Sequence, residues 1–86
     1  MPPAPQLPAS PDDALLDRVV SSPDVCGGRP RIRGTRMRVS DVLDLLSSGA
    51  TPDEILADYD YLTRDDLRAA LRYAALATRH RVVRAA

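Results

Sequence analysis

The chain has 86 residues, which sets the expectation at one domain, and its 12 Arg (there is no Lys) offset 12 acids, 11 of them Asp. A formal net charge of zero excludes whole-molecule attraction as the force behind any polyanion binding. With no Phe or Trp and three Tyr, the core must come from Leu, Val, Ile and Ala, while one Cys excludes an intrachain disulfide and one Cys with one His excludes a self-contained zinc site.

Residues 1–11, MPPAPQLPASP, hold five of the eight prolines and read as a disordered tail, since such a run completes neither a helix nor a sheet ladder. The domain is expected over residues 12–80, with 81–86 as an Arg-rich C-terminal end. Asp12–Val20 fits either a short helix or a helix leading into a strand; Ser21, Ser22, Pro23 and Asp24 form a turn, and Gly27, Gly28 and Pro30 mark a loop. Arg31–Val39, RIRGTRMRV, reads as a β-hairpin with Gly34-Thr35 as a two-residue turn. In that register Arg33 faces Arg36, Ile32 faces Met37 and Arg31 faces Arg38. Strand alternation then sends Arg31, Arg33, Arg36 and Arg38 to one side, and Ile32, Met37 and Val39 to the core.

Three helices are expected next. Ser40 can cap the first, over 41–48, with Val42, Leu43, Leu45 and Leu46 as its apolar stripe and Gly49 as the left-handed residue that ends it. Thr51-Pro52-Asp53-Glu54 opens the second: Thr51 as cap, Pro52 in the first helical position, Glu54 closing a capping box. Its core candidates are Ile55, Leu56 and Tyr59. Thr63-Arg64-Asp65-Asp66 is a weaker form of the same signal, with Asp in place of Glu, and the third helix should run from Arg64 to about Thr78.

Charge is sorted along this order: −3 over residues 1–28, +5 over 29–38, −7 over 39–66 and +5 over 67–86. Such blocks fit internal neutralisation on folding, and they equally fit a basic surface that faces a polyanion. On the third helix, Leu67, Ala70, Leu71 and Ala74 share one face, between about 240° and 340° from Arg64. Arg64, Arg68 and Arg72 lie beside it at about 0°, 40° and 80°, with Arg79 at about 60° if the helix persists. Like charges at i,i+4 cost a few tenths of a kcal/mol per pair, so stability alone does not select this stripe. The short connection between helices two and three has helix–turn–helix length, and in that motif the later helix enters the major groove. Arginine suits the task because its guanidinium binds phosphate bidentately and reads guanine O6/N7. Asp65 and Asp66 favour the helix dipole but repel phosphate.

Motifs for catalysis are lacking. Cys26 stands beside Gly27-Gly28, far in sequence from His80, and no GxxxxGK[ST] or GxGxxG loop occurs. A small buried or semi-exposed thiol is the expectation for Cys26, and a frayed-end polar residue for His80. No cofactor, no metal and no enzyme activity are expected. No apolar run approaches the ~18 residues of a membrane span, and no signal-peptide pattern is present, so a cytoplasmic protein is expected.

Asp24-Val25-Cys26-Gly27-Gly28-Arg29-Pro30, Ile32-Arg33-Gly34-Thr35-Arg36 and Val39 together resemble the GG[KR]P-x-I-x-GTR-x-x-V signature of the domain of unknown function 433 family. Gly49–Ile55 and Leu67–Ala75 are similar to later blocks of that family, and the resemblance covers about residues 19–76. Arg31 departs from it where an apolar residue is common, as do Arg38 and Asp60 where Pro is common. The resemblance implies a mostly α fold, a three-helix, homeodomain-like helix–turn–helix preceded by a short β-hairpin. It further implies an antitoxin of a type II toxin–antitoxin system that neutralises a PIN-like nuclease toxin and represses its own promoter. On that expectation a homodimer places two third helices in successive major grooves. Arg64, Arg68 and Arg72 contact bases or phosphates, while Arg33, Arg36 and Arg38 contact phosphates or line the dimer. The Pro-rich tail or the Arg79–Arg84 stretch orders on the toxin. The alternative is a protein-interaction module that binds no DNA and turns the same arginines to an acidic partner.

Overall fold

A computed structural model describes residues 14–79. The expected Pro-rich tail, the Arg-rich end at 81–86 and His80 lie outside the described residues. Two short strands and three helices make up the fold: β1 (Val19–Val20), β2 (Arg31–Ile32), α1 (Val39–Ser47), α2 (Pro52–Asp58) and α3 (Arg64–Thr78).

The two strands pair antiparallel, Val19 opposite Ile32 and Val20 opposite Arg31. The ladder is extended by Arg33 N–H donating to the Arg18 carbonyl at 2.7 Å. The segment expected to be the second hairpin strand supplies only a bridge, Arg31 opposite Arg38, together with Ile32 N–H donating to the Met37 carbonyl at 2.8 Å. The predicted register survives, but the turn moves back by one residue. Thr35 N–H closes on the Ile32 carbonyl at 3.0 Å, and Gly34 sits at φ +80° in the third position, where a type II turn needs a positive φ. The Thr35 hydroxyl donates to Ile32 O and accepts from Met37 N–H. These local bonds use groups that a longer ladder would need, and the chain beyond Met37 turns into α1 instead.

Helix ends follow local chemistry. In α2, Thr51 Oγ1 accepts from Glu54 N–H and the Glu54 carboxylate accepts from Thr51 N–H at 2.8 Å, the expected capping box. Gly49, at φ +102°, ends α1 as expected; Gly49 N–H reaches Leu46 O and Ala50 N–H reaches Leu45 O, the paired bonds of a Schellman motif. The start of α1 differs from expectation. Its cap is Arg38, not Ser40, because the Asp41 carboxylate accepts from Arg38 N–H and from its guanidinium, which fixes the first turn two residues early.

The core is one cluster of Ile32, Met37, Val39, Val42, Ile55, Leu62, Leu67 and Ala70. Ile32, Met37 and Val39 enter it as alternation predicts. On α3 the buried face is rotated from the expected one: Ala69 is buried with Leu67 and Ala70, whereas Leu71 is half-exposed at 49%. The cause is the segment before β1. Leu16 and Val19 lie against α3 beside Tyr73, Leu76 and Ala77, on the side that carries Ala69, and Leu15 lies by Arg68, Leu71 and Arg72.

That docking depends on Asp66, a carboxylate buried to 7% exposure. It accepts from Thr63 N–H at 2.9 Å to complete the α3 capping box and from Arg18 Nη1 at 3.1 Å across 48 residues of chain. Asp66→Ala removes a cap and the nearer of the two carboxylates that hold Arg18. It should lower unfolding free energy by about 2 kcal/mol, read by urea denaturation, whereas Asp65→Ala should change it by less than about 0.5 kcal/mol.

Candidate nucleic-acid interface

The outer face of α3 is set by what covers its other sides. The core and the docked N-terminal segment take Asp66, Leu67, Ala69 and Ala70. Its outward side exposes Arg64, Arg68, Leu71, Ala75 and Arg79, at about 0°, 40°, 340°, 20° and 60° around the wheel, with exposed Asp65 beside them at about 100°. A 15-residue helix is about 22 Å long, enough to lie along a groove of duplex DNA. Arg64 and Arg68 both present their guanidinium groups there, with side-chain exposures of 61% and 56%.

Neither is isolated from acids. Arg64 forms an ion pair with Asp53 of α2, which ties the start of α3 to the helix before it. Arg68 lies 3.6 Å from Asp65, one turn back on its own helix. Surface pairs of this kind contribute about 0–1 kcal/mol, so a phosphate can displace them at little cost. The repulsion expected from the first-turn acids is reduced, because Asp66 is buried under Arg18 and Asp65 lies 3.7 Å from the same guanidinium. Arg72 is half-buried rather than outward; with Leu15, Arg68 and Leu71 it lines a shallow depression where the N-terminal segment meets α3.

The hairpin arginines do not form the common face that strand alternation predicted. Arg33 and Arg36 are exposed at the turn. Arg38 is bound to Asp41 through its Nε and Nη2 at 3.1 and 2.9 Å. Arg31 is half-buried, with Nε and Nη1 covered and unbonded, which carries a desolvation cost. Nor do the two groups share a cleft: Arg36 lines one with Asp41, Asp44, Tyr59 and Tyr61, away from the Arg68–Arg72 depression. The six residues named from sequence therefore divide into an α3 set (Arg64, Arg68 and, at its margin, Arg72) and a turn set (Arg33 and Arg36), with Arg38 committed to the scaffold. Leu71, which sequence periodicity placed in the apolar face, joins the outer face together with Ala75.

Cys26 opens a left-handed turn in which Cys26, Gly27 and Gly28 have φ of 52°, 65° and 80°. Glycine takes this region without penalty, and Cys26 is held there with its thiol toward the Arg36 carbonyl at 3.5 Å. Among the described residues no group of His, Cys, Asp and Glu is placed to hold a metal, and no helix is long and apolar enough to cross a membrane.

These features define a small three-helix domain with a two-stranded sheet at its entry. The family model described as a protein of unknown function, DUF433, matches residues 19–74, and the chain belongs to that family. The uncharacterized protein y4eO of Sinorhizobium fredii (strain NBRC 101917 / NGR234) is 39% identical over 61 residues, which are 71% of this chain and 28% of that protein. A solved DUF433 member from Anabaena variabilis ATCC 29413 is 37% identical and superposes with a TM-score of 0.67 over 78% of this chain and 65% of its own. The chain thus spans less than a third of the curated relative and just under two thirds of the solved one.

Two carboxylates of this scaffold titrate below their ordinary range. Asp41 is lowered chiefly by its hydrogen bond from the Arg38 side chain, and Glu54 by its hydrogen bonds from Thr51 backbone and side chain. A lowered folded-state value means that the stabilisation is present above the ordinary carboxylate range and is lost as pH falls through the folded-state values. The melting temperature should therefore drop steeply below about pH 4.5. The Asp41→Asn, Glu54→Gln double variant should melt lower at pH 7 and show a flatter decline on acidification.

Proposed function

We propose that the domain is a DNA-binding regulator of the antitoxin class, which reads its promoter with the outer face of α3. The observation that carries this reading is the stripe of Arg64, Arg68 and Arg79, which the fold leaves uncovered on the helix that follows the short α2–α3 turn. Guanidinium groups one turn apart at Arg64 and Arg68, and about three turns further on at Arg79, can follow a phosphate backbone or reach guanine edges, and Leu71 and Ala75 between them leave room for close approach. Arg33 and Arg36 at the turn are second contacts for phosphate. On this reading two copies bind adjacent half-sites, the partner protein is a PIN-like nuclease, the compartment is the cytoplasm, and the role is binding without catalysis. The family resemblance supports the antitoxin assignment, and the arginine stripe supports the DNA contact.

Arg64 is poised between Asp53 and a phosphate, so the two ligands compete. In gel shifts on the DNA upstream of the gene, Arg64→Ala with Arg68→Ala should abolish the shift at ~150 mM salt and lower the log–log salt slope by about two. Asp53→Asn should strengthen binding several-fold by removing the competing carboxylate. Unchanged affinity in the double arginine variant refutes the assignment of α3 as the reading helix.

A second reading is favoured by the same ion pairs: arginines already set against carboxylates suit an acidic protein surface. No promoter shift at ~50 mM salt, where electrostatic binding is strong, together with a stoichiometric protein complex lost in the Arg64/Arg68 variant, selects it.

A further inference from the structure

A groove of about 300 Å3 runs between the first turns of α1 and the C-terminal half of α3. Its walls are mostly apolar carbon from Leu43, Tyr73, Ala74 and Ala77. Exposed Arg29 and the first-turn residue Ser40 of α1 also line it. Tyr73, Ala74 and Ala77 lie near 180°, 280° and 220° on the α3 wheel, centred about 165° from the arginine stripe, so the two surfaces use different faces of one helix.

Charge decides what fits. No carboxylate lines this groove, although residues 39–66 of the same chain carry a net −7. Arg29 is cationic and exposed, while Asp41 at the start of α1 is paired with Arg38 and lines a different cleft. An apolar slot between two helices with a cationic rim matches one helical face that presents apolar side chains at i, i+3 and i+7 beside Asp or Glu. In a second copy of this chain the apolar side chains of the acidic helices α1 and α2 are already engaged: Val42 and Ile55 are buried, and Leu43, Leu45, Leu46 and Leu56 pack against the core.

We propose that this groove binds an acidic amphipathic helix of a protein partner, with apolar side chains seated between Leu43 and Ala77 and carboxylates on Arg29. The site stands on residues outside the arginine stripe, so it does not depend on the DNA reading.

The test is selection of a phage-displayed library of helical peptides, about 15 residues long, on the full chain. Enriched peptides should combine apolar residues at helical spacing with net negative charge. A selected peptide made synthetically should bind about tenfold more weakly to Arg29→Glu and to Ala77→Asp, while both variants keep the wild-type circular dichroism and the wild-type response to promoter DNA. Arg64→Ala with Arg68→Ala should leave peptide binding intact, which separates failure here from failure of the DNA reading. Enrichment of basic or uncharged peptides, no enrichment, or binding indifferent to both groove variants overturns the proposal. So does a dimer in sedimentation that Ala77→Asp dissociates, since a second copy then fills the groove.

Discussion

The carboxylate of Asp66 accepts hydrogen bonds from the Thr63 amide and the Arg18 guanidinium, and so joins the start of the last helix to the segment that leads into β1. A carboxylate this buried is costly unless its oxygens are satisfied, and here one oxygen caps α3 while the other holds a cation. The consequences reach the functional surface. With Arg18 fixed, Leu15, Leu16 and Val19 rest on α3 and Ala69 is buried, while Leu71 stays half-exposed beside Leu15. The exposed face of α3 is thereby narrowed to a strip of arginines with small or aliphatic residues between them.

The same division of labour explains a neutral chain with strongly patterned charge. Asp41, Glu54 and Asp66 serve as caps, and Asp41 and Asp66 also hold Arg38 and Arg18, so much of the acid count is spent on the scaffold. Arg33 and Arg36 at the turn, and Arg64, Arg68 and Arg79 along α3, stay at the surface. A net charge of zero therefore says little about the field at any one face, and contact with a polyanion becomes a property of those few side chains. On the proposed reading, the Arg64–Asp53 pair is a built-in competitor for phosphate that lowers nonspecific attraction without closing the face.

Features decided within four residues were legible in the sequence. Thr51-Pro52-Asp53-Glu54 and Thr63-Arg64-Asp65-Asp66 marked helix starts, Gly49 marked an end, and the apolar positions of α1 and α2 were read correctly, because caps and stripes are local physics. What failed depended on distant partners. A strand at the end of residues 12–20 and one from Arg31 were both legible, but not that β2 pairs with β1, ten residues away, and only bridges to the segment after the turn. The buried face of α3 could not be placed without knowing that residues 15–19 dock on it. Arg38 escaped notice as a cap because arginine has no acceptor to offer a helix; its partner Asp41 supplies the bonding instead. The arginine stripe was visible at helical spacing, yet Arg72 turned out half-buried, and the groove at Leu43 and Ala77 arises only when α1 and α3 pack.

Two faces of one helix thus carry separate chemistry, one cationic and open, the other an apolar groove. The most direct test is an NMR titration of the 15N-labelled chain with a duplex that contains its upstream DNA. The account predicts shifts concentrated at Arg64, Arg68, Leu71 and Ala75, with weaker ones at Arg33 and Arg36, fading as salt is raised, while Tyr73 and Ala77 stay still. An unperturbed α3, or shifts confined to the groove residues, contradicts it.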